Sequence, residues 1–136
     1  MANSIAINHL ALNCWNLAEQ EAFYTKYFGF KRARTLKRKT GGEIILLKLG
    51  SVRLELFPTE RDKTAGMQGG EQPIGFKHLA FDVPKLEPFL ERLKADGIEP
   101  EPIIELGELL PGCRIVFFRD PEGNILELME GYSDEE

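Results

Sequence analysis

His9-Leu10-Ala11-Leu12, near the start of the chain, returns in its second half as His78-Leu79-Ala80-Phe81. Each copy is followed by a stretch with helical spacing. Each half then closes on one tripeptide, Leu54-Glu55-Leu56 in the first and Leu126-Glu127-Leu128 in the second. His9 and His78 are the chain's 2 histidines. An offset of about 70 residues exceeds most solenoid periods, and two copies are too few for an array. Two related modules that share a cavity remain as the plain reading.

A pass along the chain fills in the modules. Ile5 to Cys14 reads as a strand, with Leu10 and Leu12 on one side and His9, Ala11 and Asn13 on the other. Asn16 followed by Glu19 resembles a capping box. Leu17, Phe23, Tyr24, Tyr27 and Phe28 recur at helical spacing, and Gly29 closes the helix. Phe30–Lys39 is a polar strand, Gly41-Gly42 a turn, and 43–49 and 51–57 form a hairpin at Gly50. The stretch from Pro58 to about residue 75 has no apolar period and reads as a linker. The pattern then returns: a strand at 76–83, a helix carrying Leu86, Phe89, Leu90 and Leu93 and ending at Gly97, and an extended segment at 98–106 broken by Pro100 and Pro102. A strand at 113–118, the turn Asp120-Pro121-Glu122-Gly123, and a last strand at 124–130 complete it. The fold class is therefore α+β, one domain over 1–136 made of module one (5–57), a linker (58–75) and module two (76–130), each module βαβββ.

Composition sets the outer bounds. Hydrophobic residues at 43% and charged residues at 29% are ordinary for a globular domain. A net charge of -5 argues against a nucleic-acid surface. The basic run Lys31, Arg32, Arg34, Lys37, Arg38 and Lys39 lacks interleaved aromatics and reads as a solvated hairpin, with recruitment of an anionic substrate as the alternative. No apolar run approaches the roughly 18 residues a membrane span needs. Met-Ala-Asn-Ser-Ile has no signal-peptide character. Cys14 and Cys113, without CxxC spacing, read as small core residues of a reduced, cytoplasmic protein.

Period-two alternation places His9, Glu55, His78 and Glu127 on the side of their strands opposite the leucines. A lone histidine on a strand is ordinarily structural, and a lone glutamate between leucines ordinarily faces solvent. The coincidence of both, in both halves, points to a duplicated half-site for one metal ion. Imidazole and carboxylate without thiolate suit Zn, Ni, Co, Mn or Fe(II). Four protein ligands around an octahedral ion leave two positions for water or a bidentate oxygen substrate.

With these residues in view the chain resembles the vicinal oxygen chelate superfamily, the glyoxalase/bleomycin resistance protein/dioxygenase family. INHLAL at 7–12, FYTKYFGF at 23–30, HLAFDV at 78–83 and FFRDPEGNILELME at 117–130 carry the resemblance. It implies paired βαβββ modules in a mixed-sheet, U-shaped half-barrel cleft, a divalent metal at His9, Glu55, His78 and Glu127, a small-molecule substrate, and a homodimer. That ligand set is most similar to glyoxalase I. Fosfomycin enzymes and extradiol dioxygenases use two His and one Glu, and bleomycin-binding members lack the ligands. Two departures weaken the case for glutathione itself: Asn13 stands where glyoxalase I carries a glutathione-binding Arg, and Thr59 where it carries an Asn.

The function so implied is a glyoxalase-like lyase or isomerase moving a proton on a chelated oxygenated substrate, such as a thiol hemithioacetal. Glu127 is the catalytic base by resemblance, and Glu55 the symmetric alternative. Arg114, Lys48, Arg53 and Arg119 are candidates to orient an anionic substrate, each more often a surface charge. The alternatives are an Fe(II) ring-cleaving dioxygenase using His9, His78 and Glu127, and a non-catalytic antibiotic-binding module. No nucleic-acid or membrane partner is expected.

Overall fold

The computed structural model describes residues 5–60 and 74–135. The linker expected at 58–75 falls largely outside the described residues. The element order is β1 (His9–Cys14), α1 (Leu17–Phe28), β2 (Lys31–Lys37), β3 (Glu43–Leu49), β4 (Val52–Pro58), β5 (Leu79–Asp82), α2 (Leu86–Ala95), β6 (Ile104–Glu105), β7 (Arg114–Arg119) and β8 (Ile125–Glu130). These form two four-stranded mixed sheets, ordered β1-β4-β3-β2 and β5-β8-β7-β6. Each carries one helix, so the βαβββ pattern holds in both halves. The chain divides into two compact units, Met1–Gly66 and Met67–Glu136.

In the first unit α1 starts where the sequence says it should. Asn16 Oδ1 accepts the Glu19 backbone N–H at 3.0 Å. The helix ends at Gly29, whose φ of 78° lets its N–H turn back onto the last carbonyls. Phe23, Tyr24 and Tyr27 line the buried face, and the Tyr24 and Phe30 rings meet edge-on at 5.8 Å. Against them lie Ile45 and Leu47 from β3 and Leu54 and Leu56 from β4, all buried. At about 25 cal/mol per Å² of apolar surface, each buried leucine contributes roughly 1.5–3 kcal/mol.

In the second unit α2 buries Leu86, Phe89, Leu90 and Leu93 beside Val116, Phe118, Leu126 and Leu128. Its N-terminus is capped from outside the helix. Lys85, at the N-cap, has no side-chain capping bond. Instead Glu130 of β8 accepts the Leu86 N–H on Oε1 at 3.0 Å. Arg114 of β7 grips the same Glu130 at 2.9 and 2.8 Å and Glu87 of the first helical turn at 2.9 Å twice. Two carboxylates thus sit at the positive end of the helix, bridged by one guanidinium.

The strands are shorter than the sequence suggests, for identifiable reasons. β1 begins at His9 rather than Ile5 because its parallel partner, β4, runs out beyond Arg53; the last ladder bond there is Arg53 N–H to Asn8 O at 3.2 Å. His78 likewise lies one residue ahead of β5. β6 shrinks to Ile104–Glu105 because Pro100 and Pro102 have no N–H to give a ladder. The turn before β8 is as tight as its sequence implies. Asp120 accepts the backbone N–H of Glu122 at 2.9 Å and of Asn124 at 3.0 Å, and the Asn124 side chain at 2.8 Å.

Two stability predictions follow from these contacts. At Gly131 (φ +87°) an added Cβ would lie 2.3 Å from Gly112 O. Gly131→Ala should therefore destabilise the chain by roughly 2 kcal/mol or more, read as a lower urea midpoint at unchanged m. Arg114 and the Leu86 N–H hold the Glu130 carboxyl down to about 2 from an ordinary 4.5. Ionised Glu130 therefore favours the folded state above pH 4.5, and that contribution fades as pH falls toward 2. Glu130→Gln keeps an acceptor for Leu86 but no charge. It should lower Tm at neutral pH and flatten the acid limb of a Tm-versus-pH curve; an unchanged limb would contradict the assignment.

Candidate metal centre

The two sheets place their histidine and glutamate by one shared register. β1 runs parallel to β4 with Ala11 opposite Glu55, and β5 runs parallel to β8 with Ala80 opposite Glu127. In each module the histidine stands two residues before that alanine, on the same face. The alanine has no side chain beyond Cβ, so the carboxylate can lean over it toward the imidazole. His9 Nε2 meets Glu55 Oε1 at 3.1 Å, and His78 Nε2 meets Glu127 Oε1 at 2.6 Å.

The pairs differ in depth. The His9 and Glu55 side chains are 38% and 14% exposed, those of His78 and Glu127 23% and 8%. A carboxylate as buried as Glu127 is costly unless something positive meets it. Phe117, the cross-strand partner of Glu127, lies beside this pair, its ring edge-on to that of His78 with centroids 5.3 Å apart. His9 is fixed from behind, with Nδ1 2.7 Å from Asn8 Oδ1. With Nδ1–H donating to Asn8, the Nε2 lone pair faces the Glu55 carboxylate, and a cation, proton or metal, must lie between them. A second neighbour that sets the tautomer in this way is the usual support of a metal-binding histidine.

The donor chemistry fits a divalent ion. Two ligands about 2.1 Å from one ion and at right angles are about 3 Å apart, close to the His9–Glu55 spacing. The tighter His78–Glu127 pair would open by a few tenths of an ångström, roughly, to admit one. Each unit carries one such imidazole–carboxylate pair. Within neither unit, among the described residues, do three or more His, Cys, Asp or Glu side chains gather into a metal cage.

The other candidates separate by face. Lys48 and Arg53 are cross-strand partners on the His9–Glu55 face. Arg119 lies on the Glu127 face, but its guanidinium donates to Gly123 O at 2.6 Å. Arg114 points the other way, into the cap of α2, and is withdrawn as a substrate-orienting residue. Strand parity in Arg114-Ile115-Val116-Phe117-Phe118 already put it with Val116 and Phe118, on the helix side. The sequence reading did not single out Asn8, Ala11, Ala80 or Phe117. The Ala of each His-Leu-Ala triplet was the available signal; Phe117 and Asn8 had none. Cys14 and Cys113 are buried and form no disulfide; Cys14 Sγ donates to Leu12 O at 3.6 Å, and burial pushes the Cys113 thiol up.

The comparisons agree with this architecture. The profile of the Glyoxalase/Bleomycin resistance protein/Dioxygenase superfamily matches residues 6–128, so the chain belongs to that superfamily. An uncharacterized protein of Bacillus subtilis (strain 168), YwkD, is 37% identical over 92% of this chain and 96% of its own length. Among solved structures, a glyoxalase family protein from Enterococcus faecalis aligns with a TM-score of 0.75 at 33% identity, over 92% of this chain and 97% of that one. Lactoylglutathione lyase from Agrobacterium tumefaciens aligns at 0.64 and 26% identity, over 93% of each chain. A mutant of the fosfomycin resistance protein FosX from Listeria monocytogenes, complexed with Mn(II) and dihydroxypropylphosphonic acid, shares the fold at 0.70 and 20% identity, over 93% of each chain. Among the described residues no helix is long and apolar enough to cross a membrane.

Proposed function

We propose that the chain is a divalent-metal-dependent, glyoxalase-like lyase or isomerase. In this reading His9, Glu55, His78 and Glu127 hold one ion of the Zn, Ni, Co, Mn or Fe(II) class. The observation that carries it is the repeated His–Glu pair, built at one register in both modules and facing away from the helices. Retention of two carboxylates and two imidazoles favours proton transfer over oxygen chemistry, as in the neighbouring lactoylglutathione lyase.

A divalent ion held there supplies Lewis-acid stabilisation of the negative charge that develops when a proton leaves a carbon beside a carbonyl. The protein's own groups do the rest. Glu127 is the base: its Oε1 takes the proton from one substrate carbon and returns it to the neighbouring one. Its burial, 8% of the side chain exposed, keeps water from competing for that proton. His78 and Phe117 restrict where the carboxylate can swing. Glu55, more exposed, is the symmetric alternative base. Asn13 and Thr59, standing where glyoxalase I carries glutathione-contacting residues, point to a thiol other than glutathione or to a hydroxycarbonyl substrate. The reading includes a homodimer in the cytoplasm.

Elemental analysis of purified protein tests the site. His9→Ala and Glu127→Gln should each lose most bound divalent metal, and Asn8→Ala should weaken metal affinity about 10–100-fold by freeing the His9 ring. A methylglyoxal assay run with several thiols then reads turnover. Full metal occupancy in both ligand variants would overturn the assignment. Light scattering at micromolar concentration should give twice the monomer mass; a monomer would remove the dimer from the proposal.

A further inference from the structure

Three strands of the first unit carry a row of cationic side chains across the sheet, and His9 on the fourth strand continues it. β2 pairs Lys31 with Lys48 of β3, β3 pairs Lys48 with Arg53 of β4, and β4 pairs Arg53 with His9 of β1. Cross-strand partners share a face, so Lys31, Lys48 and Arg53 stand beside His9 on the side that also carries Glu55. With strands about 4.8 Å apart, Lys31 to Arg53 spans about 10 Å.

The row runs against the stability of the sheet. Like charges directly opposite one another are destabilising, and here two such pairs adjoin in a chain of net charge -5. Among the described residues, no carboxylate lies within ion-pair distance of any of the three side chains. Glu55, the acid on this face, is engaged by His9. Arg32, by contrast, points to the helix side and is paired with Glu21. Lysines on an edge strand can serve to block edge-to-edge pairing, and that suffices for Lys31 on β2. It does not explain Lys48 and Arg53, whose strands are interior in the order β1-β4-β3-β2. Among the described residues the second unit has no such row. There the matching partners are Ile125 and Arg119, one apolar and the other tied to Gly123 O.

We infer that Lys48 and Arg53, with Lys31, form the subsite for an oxyanion on the substrate, a carboxylate or phosphate group, bound by the first module alone. The inference rests on the metal reading only for where the reacting end of the substrate lies; the anion contact belongs to the sheet itself. The substrate is then a small α-oxygenated acid or phosphate ester whose charged end lies along β3 and β4. Its reacting end lies near Glu55 and His9, two residues further along the strand from Arg53 or across from it.

Amide-resolved NMR titration of the full chain with inorganic phosphate, and separately with malonate, tests this with and without added divalent metal. Shifts should centre on Lys31, Lys48 and Arg53, and the tighter of the two probes assigns the oxyanion. Lys48→Gln and Arg53→Gln should each raise the dissociation constant about three- to tenfold, with Arg53→Lys recovering part of the loss. Lys37→Gln removes the same charge from the opposite face and should change nothing. Equal affinity in all variants, or an equal loss in Lys37→Gln, would overturn the inference. Metal analysis of the same proteins separates the two readings. Metal retained in His9→Ala with the anion effects intact sinks the metal site alone. Metal lost in His9→Ala with anion affinity unmoved in the row variants sinks the subsite alone.

Discussion

Everything at the site follows from the parallel pairing of the first and last strands of each module. A parallel pair needs a crossover connection, and here helix and hairpin together provide it. The pairing sets Ala11 against Glu55 and Ala80 against Glu127. A slip of one residue would turn Glu55 and Glu127 into the leucine core and expose Leu54, Leu56, Leu126 and Leu128. Four buried leucines therefore lock the register that the two acidic side chains depend on.

β8 shows how alternation divides labour within a single strand. Glu127 and Glu130 lie three residues apart, on opposite faces. Glu130 is neutralised by Arg114 and completes the start of α2, so it belongs to the architecture. Among the described residues Glu127 meets the His78 imidazole at 2.6 Å, beside the Phe117 ring. The charge on one face is met by Arg114 and the start of α2; the charge on the other faces the His78 imidazole.

Both βαβββ modules and both His–Glu pairs were legible in the sequence, because alternation and the repeated His-Leu-Ala and Leu-Glu-Leu segments are local signals. The sheet registers were not. Which residue of β3 faces Arg53 depends on the turn at Gly50, and which residue of β2 faces Lys48 depends on a bulge between Arg32 and Arg34, so the cationic row could not be read from spacing. The basic run at 31–39 looked like one patch, yet alternation splits it: Arg32 binds Glu21 toward the helix, while Lys31 joins the other face. Arg114 was misjudged for the opposite reason, since its parity was in plain view. The early ends of β1 and β5 reflect where a partner strand stops, which no property of Ile5–Asn8 or Phe76–His78 announces.

The two alanines opposite the glutamates have an implication for how such a scaffold diversifies. Valine prefers extended backbone more than alanine does, so a branched residue at 11 or 80 would suit the strand while crowding the carboxylate away from its imidazole. Loss of a His–Glu contact could thus accompany a gain in strand stability, and drift away from it would run downhill. Keeping those positions small is what leaves each carboxylate within reach of its imidazole.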